Sequence, residues 1–381
     1  MKILFLQIKG KQYGGVWEVN KLIGEKLISK GHEVSIVSIR NHEEGDILPH
    51  DPRLNVLTIN EVSPWKTYSG YEMITSLKKG KFKESFMMLK HRLHNNKILK
   101  QDKEKLNDYI RKENPDYLIS SHYQLIEMID DEFYDKLFHL QHSSFKSSIE
   151  HLGTKRVINK YKDKIKFLWL SQKTMENASL YGIKDNYYIY NAVRFETKSR
   201  ANVIENKKIV TIARFSSQKR IDIMIKVVSN IFNDLRFKNW VFEIYGSGEE
   251  EDYLKSLIKN HKQIKIMGKT DNPKEVLLTS SINLNTSLME GFCLSILEAN
   301  ECGVPTVSLD FGESVSEEIL DDKTGLVIYN DNLLEYEQRL RELMLNSEKL
   351  ELLSKNCKEF NKKFHIDSII KEWEMLLVRK N

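Results

Sequence analysis

Short apolar runs alternate with longer stretches of helical spacing along almost the whole chain. "KILFLQI" predicts a buried strand, and "KGKQYGGVWEVN" follows as a loop with adjacent glycines at Gly14 and Gly15. In "EVNKLIGEKLISKG" the residues Val19, Leu22, Ile23 and Leu27 fall on one helical face, and Gly31 is the stop. "HEVSIVSI" is the next strand. Strand, loop, helix and strand in that order form a βαβ unit, which builds parallel sheets with ligand sites at the carboxyl ends of strands. "NPDYLISSH", "KLFHLQH" and "IKFLWLS" extend the series.

The second half repeats the pattern with "KIVTIARF", "WVFEIYGSG", "KQIKIMGK", "SINLNTS", "PTVSLD" and "TGLVIY" as strands and helical spacing between most of them. The junction falls in "YYIYNAVRFETKSRANVIENKK", which turns polar after Asn191. The expected fold class is therefore α/β, with two Rossmann-like parallel-sheet domains, residues 1–191 and 192–365, facing each other across a cleft. The closing "DSIIKEWEMLLVR" is an amphipathic helix with Ile369, Ile370, Trp373 and Leu376 on one face.

Composition narrows the class. A chain of 381 residues suits two separate cores, and 40% apolar with 30% charged residues suits a folded protein. The net charge of +5, from 59 basic and 54 acidic residues, is too small to point to nucleic acid. Cys293, Cys302 and Cys357 make no CxxC pair and fit a reducing cytoplasm. The opening "MKILFLQIKGK" reads as a strand and not as a signal peptide, and no window is apolar for long enough to span a bilayer. One segment stands out: from Lys78 to Lys100, basic residues at 78, 79, 81, 83, 90, 92, 97 and 100 face a single acid, Glu84, with Phe82, Phe86, Met87, Leu89 and Leu93 interleaved. An ordinary helix with a solvated face is the preferred reading, because positive runs on helices are common. The alternative is a surface for anionic lipid or an anionic polymer.

The candidate chemistry centres on "MEGFCLSILEANECGVP", Met289 to Pro305. "SINLNTS" alternates as a strand does, "LMEGF" turns at Gly291, "LSILEANECG" has helical spacing, and Gly303 sits at the helix's C-terminal cap position. Glu290 thus lies in the turn after a strand and Glu298 about one turn into the helix. Between them, the amides of Phe292, Cys293 and Leu294 form a helix N-terminus suited to phosphate. A carboxylate at Glu298 suits the hydroxyls of a ribose, and Glu290 stands where a sugar beyond the phosphates would be held. On spacing alone, a capping Glu290 and a solvent-facing Glu298 are the simpler account.

The surrounding motifs bear on that choice. The stretch resembles the E-x7-E motif of the retaining glycosyltransferases of family 4, which have the GT-B fold. "TIARFSSQKRIDIMIKVV" is similar to their basic segment, with Arg214 and Lys219 at the two positions that hold the donor diphosphate. "IYGSGEE" matches their GxG strand end at Gly246 and Gly248, and "EEILDDKTGLVI" their glycine-bearing strand entry. The matches run in the expected order from about Lys208 to Val327. The wording is nearest to members acting on teichoic acids, surface polysaccharides or glycoproteins.

The resemblance implies a hexose or N-acetylhexosamine moved from a nucleoside-diphosphate sugar, UDP by family frequency, to a glycan, polymer or lipid-linked acceptor. It implies retention of configuration without a metal, and no D-x-D triplet or metal-ligand cluster occurs in the chain. Gly14 and Gly15 match the family's glycine-rich first loop, although Tyr13 and Trp17 replace its usual small residues. His142 in "LQHSSF", or His122 after "YLISS", is the histidine that the resemblance places near the donor sugar. Asn191 in "YNAV" matches a family motif that has a glycine where this chain has Ala192. The helix 366–381 is expected to return to the first domain. Glu290 would orient the donor sugar and stabilise developing positive charge. Two competing functions share the fold: a sugar-nucleotide epimerase and an inactive partner of a transferase. The presence of Arg214, Lys219, Glu290 and Glu298 favours activity.

Overall fold

A computed structural model describes residues 1–9, 15–40, 50–60, 76–77, 81–259 and 261–378. Its strands are β1 (Lys2–Lys9), β2 (Glu33–Arg40), β3 (Asn55–Asn60), β4 (Tyr117–Ser120), β5 (Leu137–Gln141), β6 (Lys166–Trp169), β7 (Asn186–Tyr188), β8 (Lys208–Ile212), β9 (Val241–Tyr245), β10 (Ile264–Gly268), β11 (Ile282–Asn285), β12 (Thr306–Leu309) and β13 (Gly325–Ile328). They form two sheets, one in the order β3-β2-β1-β4-β5-β6-β7 and one in the order β10-β9-β8-β11-β12-β13.

Strand β1 pairs in parallel with β2 and β4, and β2 with β3 likewise. Its residues Ile3, Leu4, Phe5 and Leu6 are all fully buried, as expected of a parallel strand covered on both faces. In the second sheet every pairing is parallel. The helix Ile221–Phe232 buries Ile221, Met224, Ile225, Val228 and Ile231. These positions repeat by three and four, so a single apolar stripe lies on the core of β8, β9 and β11 residues.

The order of the second sheet locates its site. Chain direction reverses its lateral course between β8 and β11, and in an open parallel sheet the crevice at such a switch point receives the ligand. The loops leaving the carboxyl ends of β8 and β11 are residues 213–220 and 286–293, which contain Arg214, Lys219 and Glu290.

Two compact units result, and each is discontinuous in sequence. The first holds residues 1–141, 152–168 and 183–185; the second holds 142–151, 169–182 and 186–381. The helices Phe145–Glu150 and Gln172–Leu180 therefore belong with the second unit. Two acids after β12 hold their N-termini. Glu313 accepts the N–H groups of Phe145 and Lys146 at 2.7 and 3.2 Å, and Glu317 accepts those of Gln172 and Lys173 at 3.0 and 2.8 Å. Each carboxylate satisfies orphan donors and faces the positive end of the helix dipole. The closing helix, Ile366–Val378, is also part of the second unit and buries Ile369, Ile370, Trp373 and Leu376.

Candidate active site

Two glycines let the strands of the second sheet end close together. Gly246 has φ +144°, and a Cβ there would lie 1.9 Å from the Ala213 carbonyl oxygen. Gly248 has φ +159°, and its Cβ would meet the Phe215 oxygen at 2.2 Å. Only glycine allows that conformation and that approach together. The backbone from Gly246 onward can thus lie against the 213–216 turn, with Ala213 N–H on the Tyr245 oxygen and Phe215 N–H on the Ser247 oxygen.

The 213–220 loop is also tied to the loop after β11. Leu288 N–H donates to the Gln218 oxygen at 2.9 Å, and the Gln218 amide donates to the Met289 oxygen at 2.8 Å. The Thr286 hydroxyl donates to the carbonyls of Lys219 and Arg220 at 3.0 and 2.8 Å. These bonds bring Lys219 Nζ onto Glu290 Oε1 as a hydrogen-bonded ion pair, with both side chains mostly buried. Burial works against the Lys219 ammonium, but the charge of Glu290 and its hydrogen bond help to hold the pKa above the ordinary value. Arg214 is exposed and near enough to pull the Lys219 pKa the other way. Lys219 and Arg214 thus put two cationic side chains beside one turn, one of them paired with Glu290, and such groups suit phosphate oxygens.

Gly291 is set by a different contact. A Cβ on it would lie 2.0 Å from the His142 carbonyl oxygen and 3.1 Å from Ser143 Cα, so the backbone at His142 rests directly on the turn that carries Glu290. Phe292 follows, buried, with its ring 5.3 Å from that of Tyr190 and 5.4 Å from that of Phe364. Its side chain belongs to an aromatic cluster, which leaves its backbone for any ligand. The Asn191 amide reaches the Phe292 carbonyl at 3.5 Å.

The helix Leu294–Glu301 opens with Cys293 as its cap, and no side chain of its own caps it. The Cys293 amide, expected to face phosphate, donates to Glu318 Oε2 at 2.9 Å. Burial pushes the Glu318 carboxyl up to about 8, against the pull of that bond, and the charge of Glu290 adds to the rise. Burial also pushes the Cys293 thiol up to about 12, so it is held as a neutral thiol. Leu294 is half-buried at the first helical position.

Glu298 is buried, not solvent-facing. Arg194 grips it through Nε and Nη2, the latter bond being 2.9 Å. A carboxylate has roughly four acceptor positions, so about two remain beyond the Arg194 fork. A second acid of the same helix, Glu301, is buried in a purely structural network with Thr197 N–H, Asn361 and His365 at 2.8–3.0 Å.

Of the two histidines weighed from the sequence, His142 lies in the second unit against Gly291. His122 lies in the first unit as the cap of the helix Tyr123–Met128, where its ring accepts the Gln124 amide. Gly15 opens the helix Gly15–Ser29 of the first unit, and Gly14 lies outside the described residues. A cavity of about 720 Å³ opens beside Met289, lined also by Ser144, Asn177, Tyr181, Asp310 and Glu313. That volume is typical of small-ligand sites. Among the described residues no cluster of three or more His, Cys, Asp or Glu side chains is placed to hold a metal ion.

Three residues escaped the sequence reading. Arg194 carries no local signal, since it acts on a carboxylate 104 positions away. Glu313 precedes a short helix, Val315–Glu318, and Glu318 ends it; both act on amides of other elements. "EEILDDKTGLVI" contains Glu318, but nothing in the wording separates it from the acids around it.

The glycosyl transferases group 1 family matches residues 194–360. Over 99% of both chains, this one is 24% identical to an uncharacterized glycosyltransferase of Haemophilus influenzae. It is 29% identical over 210 residues to the poly(ribitol-phosphate) alpha-N-acetylglucosaminyltransferase of Staphylococcus aureus, a match that covers 54% of this chain and 40% of that protein. The fold superposes with a TM-score of 0.76 at 15% identity on a crystal structure of S. aureus TarM complexed with fondaparinux, alpha-GlcNAc-glycerol and UDP, covering 99% of this chain and all of that one.

Proposed function

From a chain whose residues 194–360 belong to the glycosyl transferases group 1 family, we propose a retaining, metal-independent transfer of a hexose or N-acetylhexosamine from a nucleoside-diphosphate sugar, with UDP as the carrier. The acceptor is a glycan, polymer or lipid-linked saccharide of the cell surface. The match to a poly(ribitol-phosphate) alpha-N-acetylglucosaminyltransferase and the fold likeness to a UDP-bound protein support this reading. Three buried free thiols accord with a cytoplasmic setting.

One observation carries the proposal: Lys219, Glu290 and the His142 backbone meet at one turn beside the switch point of the second sheet. The diphosphate would enter next to Lys219 and Arg214. As the glycosidic bond breaks, negative charge grows on the departing phosphate, and the two cations meet it in a partly dehydrated setting. Phosphate binding would draw Lys219 away from Glu290 and release that carboxylate toward the sugar. Glu290 would then orient the sugar hydroxyls and stabilise positive charge at the anomeric carbon, while the departing phosphate oxygen takes the acceptor's proton on the same face. The backbone at Gly291 and Phe292 lines the donor, with Gly246 keeping the neighbouring strand end close. Glu298 offers its remaining acceptor positions to the ribose, with Arg194 fixing its orientation.

The test is Glu290→Gln with saturating UDP-sugar. UDP binding by calorimetry should persist while UDP release falls about 10²- to 10³-fold, the usual effect of losing one electrostatic stabiliser. Full turnover would remove Glu290 from the mechanism. Conversion of the sugar in a donor-only incubation would identify an epimerase instead, and absence of UDP binding would identify an inactive homologue.

A further inference from the structure

The 32-residue helix Phe82–Glu113 of the first unit has two apolar faces, and only one is covered. Asn95, Ile98, Asp102, Leu106 and Ile110 are buried, at spacings that place them on one side of a helix. That side is anchored: Asp102 receives Arg40 and the Asn60 amide, the latter at 2.7 Å. On the other side Phe82 and Phe86 are each 71% exposed, Leu93 62% and Leu89 42%. Positions 82, 86, 89 and 93 advance by four, three and four. At about 100° per residue they share an arc of roughly 60° that points away from the buried face.

Lysines border this stripe. Lys83, Lys90 and Lys97 recur every seventh residue along one margin, and Lys100 closes its end. Between Phe82 and Lys100 the sequence has one acid, Glu84, which pairs with Lys81 at 3.0 Å. Large exposed apolar patches mark interaction sites. Pairing two copies through this stripe would set lysines against lysines. An anionic bilayer accepts both features, because the rings and leucines enter the headgroup boundary while the lysines extend to lipid phosphates.

We propose that the outward face of the Phe82–Glu113 helix docks the chain on an anionic lipid surface, with the helix lying in the plane of the membrane. Among the described residues no helix is long and apolar enough to cross a membrane, so the attachment is peripheral and reversible. It is independent of the transferase reading, because it needs neither donor nor acceptor.

The test is cosedimentation of the full chain with phosphatidylcholine vesicles, with and without phosphatidylglycerol. Binding is expected only to the anionic vesicles and should weaken with added salt. The pair Phe82→Ser and Phe86→Ser should reduce partition at least tenfold, given the apolar area of two rings. The pair Lys83→Glu and Lys97→Glu should do the same while leaving UDP binding unchanged. All four sites are exposed, so melting curves should match the wild type. Equal partition onto neutral vesicles, or none onto anionic ones, would overturn the proposal. So would a concentration-dependent dimer in sedimentation equilibrium that the two serine substitutions dissolve, since the stripe would then pair copies of the chain.

Discussion

Replacing Glu318 with glutamine should change the pH dependence of stability more than stability itself. The carboxyl is fully buried, accepts one amide from Cys293, and titrates near 8 instead of at the ordinary 4.5 because burial disfavours its charge. Between those two values the folded chain holds a proton that the unfolded chain has lost. Stability therefore falls as pH rises through that window, and the loss is complete once pH passes the folded value. At about 1.4 kcal/mol per pH unit, the group costs below roughly 1 kcal/mol at pH 5 and about 3 kcal/mol at pH 7. Glutamine keeps an oxygen for the Cys293 amide but buries a second donor group, a cost of about 1–3 kcal/mol that does not vary with pH. Urea unfolding of both proteins, followed by tryptophan fluorescence from pH 5 to pH 7, separates the two effects. Titrations common to both chains cancel in the difference. The variant should gain about 2–3 kcal/mol on the wild type across that range. A difference that stays constant from pH 5 to pH 7 would mean that Glu318 is charged throughout and would refute the reasoning.

Two further substitutions probe the same unit. Gly291→Ala places a methyl group 2.0 Å from the His142 oxygen, where two backbones must separate; a loss of about 2–4 kcal/mol by urea unfolding should accompany weakened UDP binding in calorimetry. Glu301→Ala strips the acceptor from Thr197 N–H, Asn361 and His365 and should cost about 3–5 kcal/mol while UDP affinity in the surviving folded fraction stays near that of the wild type.

The sequence pattern marks eleven of the strands, most of which carry a largely buried apolar run, and the edge strand β10 is marked as well although Met267 in it is exposed. It passes over β3 and β7. The first is an edge strand with a half-exposed burial pattern, and the second is only three residues long, so neither carries a continuous apolar run. Within the site, the sequence marked Lys219 and Glu290 separately, each through its own motif, and their ion pair was written in neither. The partners of Glu298 and of the Cys293 amide were not readable. Both depend on how elements about 25 and 104 positions apart come into register, and local spacing holds no record of that. The buried state of Glu298 followed from the same gap, since its helix is covered on more sides than its spacing suggests.

The acids after β12 have a practical consequence for dissecting the chain. A fragment cut after Asn191 would keep Glu313 and Glu317 but discard the helices Phe145–Glu150 and Gln172–Leu180 whose first turns they hold. Glu313 would also lose Thr174 and Asn177, and Glu317 would lose the Tyr190 hydroxyl as well. A chimera that exchanges the second unit between related chains must therefore transplant residues 142–151 and 169–182 together with the C-terminal half, so the transferable module is three pieces of sequence and not one.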